Sequence, residues 1–138
     1  HSLCGSQIYI EGMERSGQNR RINREILNYD QLVDELGAQP VRKAVWSAVQ
    51  QLLRVRQQSA AFHPFGSFRF HDLSPSLISI QRFSPDKQEE VWLLFNLTTG
   101  HQEVHLPSGT YADLLHEETA AAKQYLRAYE YRWLRKKV

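Results

Sequence analysis

The chain has 138 residues, of which 41% are hydrophobic and 23% charged, a globular rather than disordered composition with room for one ordinary domain. Its formal net charge of +2 gives no bulk argument for binding nucleic acid or a membrane surface. No apolar run approaches the roughly 20 residues that span a bilayer, and the single cysteine, Cys4, has no partner for an internal disulfide, so a cytoplasmic setting is expected.

Residues 1 to 28 read as loop. Their densest part, Glu14 to Glu25, carries Arg15, Arg20, Arg21 and Arg24, and is too broken by Gly12, Gly17 and Asn19 to predict a stable helix. Arginine offers a planar fork of donors that is always charged, so this cluster suits a ligand rich in hydroxyl, carboxylate or phosphate oxygens. The plainer reading is a solvated loop with local ion pairs such as Arg24 to Glu25. Asn28 or Asp30 then caps a short helix that stops at Gly37, with Leu32, Val33 and Leu36 on its apolar side. Pro40 opens the strongest element, an amphipathic helix of about 18 residues. Val41, Ala44, Val45, Ala48, Val49, Leu52 and Val55 form its apolar face, and Arg42, Lys43, Gln50, Gln51, Arg54 and Gln57 the opposite one.

Beyond Phe62-His63-Pro64 the period shortens. Ser67 to Leu73, Leu77 to Phe83, Val91 to Leu97, Gln102 to Leu106, Thr110 to Leu115 and Tyr129 to Leu134 read as strands separated by turns. Ala120 to Lys123 has helical propensity but little length, and Glu117-Glu118 reads as a solvated turn. The second half therefore predicts a small antiparallel sheet or sandwich.

The opening His1-Ser2-Leu3-Cys4-Gly5-Ser6 and the later Ser16-Gly17-Gln18-Asn19-Arg20-Arg21-Ile22-Asn23-Arg24-Glu25 resemble the loop after the eighth barrel strand of sucrose phosphorylases and related glycoside phosphorylases of the α-amylase superfamily, glycoside hydrolase family 13. Phe62-His63-Pro64, Trp92 to Leu97, Tyr111 to Leu115 and Tyr129 to Leu134 are similar to that family in the same order. At 138 residues the chain is too short for a complete (β/α)8 barrel, which needs about 250. The resemblance thus implies an α+β fragment. Residues 1–64 would be the C-terminal end of the catalytic barrel, with the last loop and last helix, and residues 65–138 a C-terminal β domain. It further implies phosphorolysis of an α-glucoside, such as sucrose or a glucosylglycerate-type donor, with inorganic phosphate and the rest of the barrel as partners. Arg20 matches the arginine that hydrogen-bonds glucose hydroxyls. Ile8-Tyr9 departs from the family pattern, where many relatives carry Asn-Asp beside the acceptor site.

No catalytic residue is assigned here, because the paired carboxyl groups of retaining α-glucoside chemistry come from earlier barrel strands in that family. No cofactor is expected, and no metal site either. His101 and His105 on a strand would stand roughly 13 Å apart, His63 and His71 have no ligand-like partner, and His116 neighbours only Glu117-Glu118. Asn96-Leu97-Thr98 matches the glycosylation sequon. Two other readings remain open: an α-glucoside hydrolase or transglucosylase segment, and a stand-alone carbohydrate-binding module that uses Trp92, Tyr111 or Trp133.

Overall fold

A computed structural model describes residues 2–137, the side chain of Ser2 excepted. The chain divides into two compact units, residues 1–53 and 54–138. In the first, a short 3-10 turn at Ser2–Cys4 is followed by helix α1, Ile10–Ser16, a second 3-10 turn at Asn19–Asn23 and helix α2, Tyr29–Ala38. Helix α3, Pro40–Gln58, starts with proline at its first position, where the missing N–H costs nothing, and runs on into the second unit.

The expected loop over residues 1–28 is thus corrected to one helix and two 3-10 turns. Gly12, read as a breaker, is the buried residue of α1. A Cβ at that position would fall 1.9 Å from Cε1 of the Tyr9 ring, so glycine is the residue that lets this ring lie against the helix. Gly17 ends α1 in the left-handed region at φ 64°. The predicted cap of α2 is present, with Asn28 Oδ1 accepting from the Gln31 amide at 3.1 Å. The helix passes through Gly37 to Ala38 rather than stopping at the glycine.

The second unit is an antiparallel β domain. A six-stranded sheet has the order β1-β2-β3-β8-β5-β6, from β1 (Ser67–His71), β2 (Leu77–Phe83), β3 (Glu90–Asn96), β5 (Tyr111–Asp113), β6 (Glu118–Ala120) and β8 (Tyr131–Lys136). A two-stranded sheet pairs β4 (Gln102–His105) with β7 (Lys123–Leu126). Glu118 therefore opens a strand instead of lying in a turn, and the weak helical signal at Ala120 to Lys123 resolves into the end of β6 and the start of β7. Propensity over so few residues yields to pairing with β5 and β4.

Register fixes the core. Trp92 stands opposite Leu134 and Leu77 opposite Asn96, which puts Trp92, Leu94, Leu134 and Leu77 in one cluster with Tyr111, Val104, Leu106, Ala120 and Leu126. The small β4-β7 sheet thus closes the same core as the large one. Full burial of each such side chain contributes about 1.5–3 kcal/mol. Leu93 and Trp133 face each other on the opposite side of the sheet, where the Phe62 ring lies 4.7 Å from that of Trp133. Glu89 reaches back 29 residues to accept from the Ala60 amide at 3.2 Å and from the Ser59 hydroxyl, holding the 3-10 turn Ala60–Phe62 that carries Phe62. No helix among the described residues is long and apolar enough to cross a membrane.

Candidate functional site

The arginine-dense segment is a closed loop with a polar knot at its base. The Tyr9 amide donates to the Ile22 carbonyl at 2.7 Å, joining the segment that enters α1 to the 3-10 turn that follows it. At the tip, the Arg21 amide donates to Gln18 O and the Arg24 amide to Arg21 O, both at 2.9 Å, winding Asn19–Asn23 into its 3-10 turn. The side chains of Arg20, Arg21 and Arg24 are exposed, and among the described residues none of the three has a hydrogen-bond or ion-pair partner. Arg15 differs, reaching Glu11 at 3.3 Å along α1. The loop therefore presents three unspent guanidinium groups, each able to donate to hydroxyl, carboxylate or phosphate oxygens.

The expected Arg24–Glu25 pair is not formed. Glu25 instead takes Arg42, whose Nη2 lies 2.8 and 2.9 Å from the two carboxylate oxygens. Arg42, assigned by periodicity to the solvent face of α3, is 3% exposed. Its Nη1 donates to the Cys4 carbonyl at 3.0 Å, and its Nε lies 2.9 Å from Glu35 Oε2. That last contact is a Coulombic pairing without hydrogen-bond alignment. Glu25 also accepts from the Gln7 amide at 2.9 Å. Burial pushes the Glu25 carboxyl up, but the Gln7 N–H, the Arg42 guanidinium and the Ser6 side chain outweigh it and hold its pKa below the ordinary value. Helical periodicity hid Arg42 because it sorts residues by hydrophobicity and cannot see two carboxylates arriving from the preceding segment.

Other residues singled out in the sequence lie elsewhere. Trp92, Tyr111 and Trp133 are 2%, 0% and 9% exposed, so none of them can stack on a sugar and the aromatic binding face is corrected to core. The Tyr111 hydroxyl donates to the Pro107 carbonyl at 2.7 Å. His71 pairs with Gln81 at 2.8 Å and lies against the Trp92 ring. His116 turns to the buried Asp113, Nδ1 to Oδ2 3.0 Å, rather than to the glutamates beside it. The same Asp113 carboxylate accepts from the Leu115 and His116 amides, and it borders a cavity of about 330 Å³ with Glu117, Glu118, Arg135 and Lys137. Asn96 of the sequon is 2% exposed, with its amide donating to the Gly100 and Arg127 carbonyls at 2.7 Å, so it is an internal brace and not a glycan acceptor. His1, which opens the family-like motif, lies outside the described residues.

The fold has counterparts among solved structures. The described β domain matches that of α-amylase-superfamily enzymes: the crystal structure of an Anoxybacillus α-amylase superposes with a TM-score of 0.64 over 83% of this chain and 25% of that one, at 16% identity. Closer sequence relatives carry a more particular name. The chain is 36% identical over 112 residues to a glucosylglycerate phosphorylase of Spirochaeta thermophila, covering 80% of this chain and 19% of the relative. To a glucosylglycerate phosphorylase of Escherichia coli it is 27% identical over 136 residues, covering 97% and 24% respectively. No family model matches. The chain belongs to the glycoside phosphorylase-like enzymes of the α-amylase superfamily, corresponding to a C-terminal portion of such an enzyme, and it spans about a fifth to a quarter of the length of these curated relatives.

Proposed function

We propose that this chain acts as part of a cytoplasmic retaining glycoside phosphorylase, with residues 1–64 forming the C-terminal end of the catalytic barrel, α3 the last barrel helix, and residues 65–138 the appended β domain. The donor is a glucosylglycerate-type or sucrose-like α-glucoside. In this reading a carboxylate outside these 138 residues attacks the anomeric carbon, and a second carboxyl group protonates the departing oxygen of the aglycone. Phosphate then displaces the enzyme carboxylate to give α-glucose 1-phosphate. The isolated segment turns over no glucoside, since it supplies neither carboxyl group.

Arg20 is the residue of this chain that meets substrate. Its guanidinium donates to glucose hydroxyls and fixes the ring while the anomeric carbon changes partner. The observation that carries the reading is the placement of Arg20 on a loop closed at its base, with its donors unspent; the two named phosphorylase relatives support the reaction class. In the full-length gene product, Arg20→Ala should raise the KM for the glucosyl donor or lower kcat by roughly 10²-fold, assayed as phosphate-dependent release of glucose 1-phosphate. Kinetics equal to those of the unaltered enzyme would remove Arg20 from the substrate site.

A further inference from the structure

We propose that Arg42 is the positioning residue for Arg20, an inference that rests on the sugar-binding reading of Arg20. The loop that carries Arg20 leaves the base of the unit at Cys4 and returns at Glu25, and Arg42 holds both points. One guanidinium nitrogen takes the Cys4 carbonyl at 3.0 Å, while another takes the Glu25 carboxylate at 2.8 and 2.9 Å. Glu25 passes the constraint back to the outgoing segment through the Gln7 amide at 2.9 Å, two residues before the Tyr9 to Ile22 bond that closes the loop. Glu35 of α2 faces the remaining edge of the guanidinium as a Coulombic partner, with Nε 2.9 Å from its carboxylate.

No buried apolar cluster backs this knot among the described residues. There, Gly12 and Arg42 are the buried residues of the first 53, and the buried hydrophobic residues lie at Ala61 or beyond. The base of the loop that carries Arg20 is therefore held by one cation, through directed contacts to the Cys4 carbonyl and the Glu25 carboxylate and a Coulombic one to Glu35. Lysine would keep the charge of Arg42 but offers a single point, and it cannot bridge a carbonyl and two carboxylates in a plane. A displacement of about 1 Å in a positioning group costs on the order of 10²-fold in rate, so a slackened knot should reproduce much of the loss from deleting Arg20 itself.

The test is a double-mutant cycle in the full-length gene product with a glucosyl donor and phosphate. Arg42→Lys should lower kcat/KM by about 10²-fold, in the same kinetic parameter that Arg20→Ala changes. In the Arg20→Ala background it should cost less than about threefold, because the group it positions has gone. Glu25→Gln, which keeps shape but loses charge, should behave alike and decides the matter if Arg42→Lys does not fold. Losses that multiply across the cycle, or unaltered kinetics in both variants, would overturn the inference while leaving Arg20 in place. A silent Arg20→Ala would instead sink the sugar-binding reading, and the positioning role with it.

Discussion

The two units of the chain are held together by opposite means. Residues 54–138 close around an apolar cluster in which Trp92, Leu94, Tyr111, Leu126 and Leu134 are each 2% exposed or less, and the antiparallel ladders run over it. Residues 1–53 bury an arginine instead, while Ile8, Ile10, Val33, Val41 and Leu53 are exposed at 47% or more. A core of large side chains contributes through area and tolerates small shifts, whereas a charged knot contributes through direction and tolerates none. The unit with the apolar cluster thus rests on buried area, and the unit that presents Arg20 is the one whose shape depends on a few polar distances. This division sharpens what substitution should do in each.

The largest effect is expected in the β domain. Trp92→Ala removes a side chain 2% exposed from the centre of the cluster and leaves its indole N–H acceptor, Glu90 at 2.7 Å, without a partner. The expected loss is about 3–5 kcal/mol, read as a fall in the denaturation midpoint at unchanged slope, with the amides of β2, β3 and β8 losing protection together. A loss below about 1 kcal/mol would mean that the cluster is not what holds this unit, and the contrast would fail.

A smaller, local effect is expected at Gly12→Ala. In an exposed helix interior this change stabilises by up to about 1 kcal/mol. Here the new methyl would meet the Tyr9 ring at 1.9–2.8 Å, so the ring must leave its place against α1 or the helix must shift. The net expectation is a loss of about 1–3 kcal/mol confined to the first unit, seen as faster hydrogen exchange at Tyr9 and Met13 while the β strands keep their protection. Adding Tyr9→Ala should restore most of it. Stabilisation by Gly12→Ala alone would show that the ring does not pack there in solution.

Much of the fold was legible because periodicity and turn chemistry are local. Helix α3 starts at its proline, Asn28 caps α2, and the β2 and β3 patterns are continuous enough to resist misreading. What was illegible depended on partners distant in sequence. Gly12 looks like a breaker until Tyr9 is seen to need its missing Cβ. The strands β6 and β7 are three and four residues long, too short for alternation to register, and exist because β5 and β4 offer an edge. Arg20 drew attention by family-like spacing, and its side chain is exposed, with no hydrogen-bond or ion-pair partner among the described residues. Arg42 carried no signal beyond a charge on a polar stripe. A charge at the third position of a helix, seven residues after Glu35 and downstream of a glutamate-ended arginine loop, could have prompted the question, but only a fold brings Glu25 to it.

Acidification should separate the two units with the smallest effect of the three. The Glu25 carboxyl is held below the ordinary glutamate value of 4.5, so the folded state binds its proton more weakly than the unfolded chain does. Its contribution is therefore fully present above pH 4.5 and is lost as pH falls from there through the lowered folded value. Burial pushes the Glu130 carboxyl of the β domain up, but the Arg127 amide at 2.6 Å and the Arg132 guanidinium at 2.9 Å outweigh it and lower its pKa too, so both units weaken in the same window. They differ in what remains, since protonating Glu130 leaves the apolar cluster intact, whereas protonating Glu25 removes the one of Arg42's two anions that closes the loop. Hydrogen exchange corrected for the intrinsic pH dependence should then show Gln7 and Tyr9 losing protection on acidification while Leu93 and Leu94 keep theirs, and Glu25→Gln should abolish the pH dependence at Gln7 and Tyr9. A pH response that survives Glu25→Gln would move the acid sensitivity of the loop to another group and loosen the link between the knot and the arginines it presents.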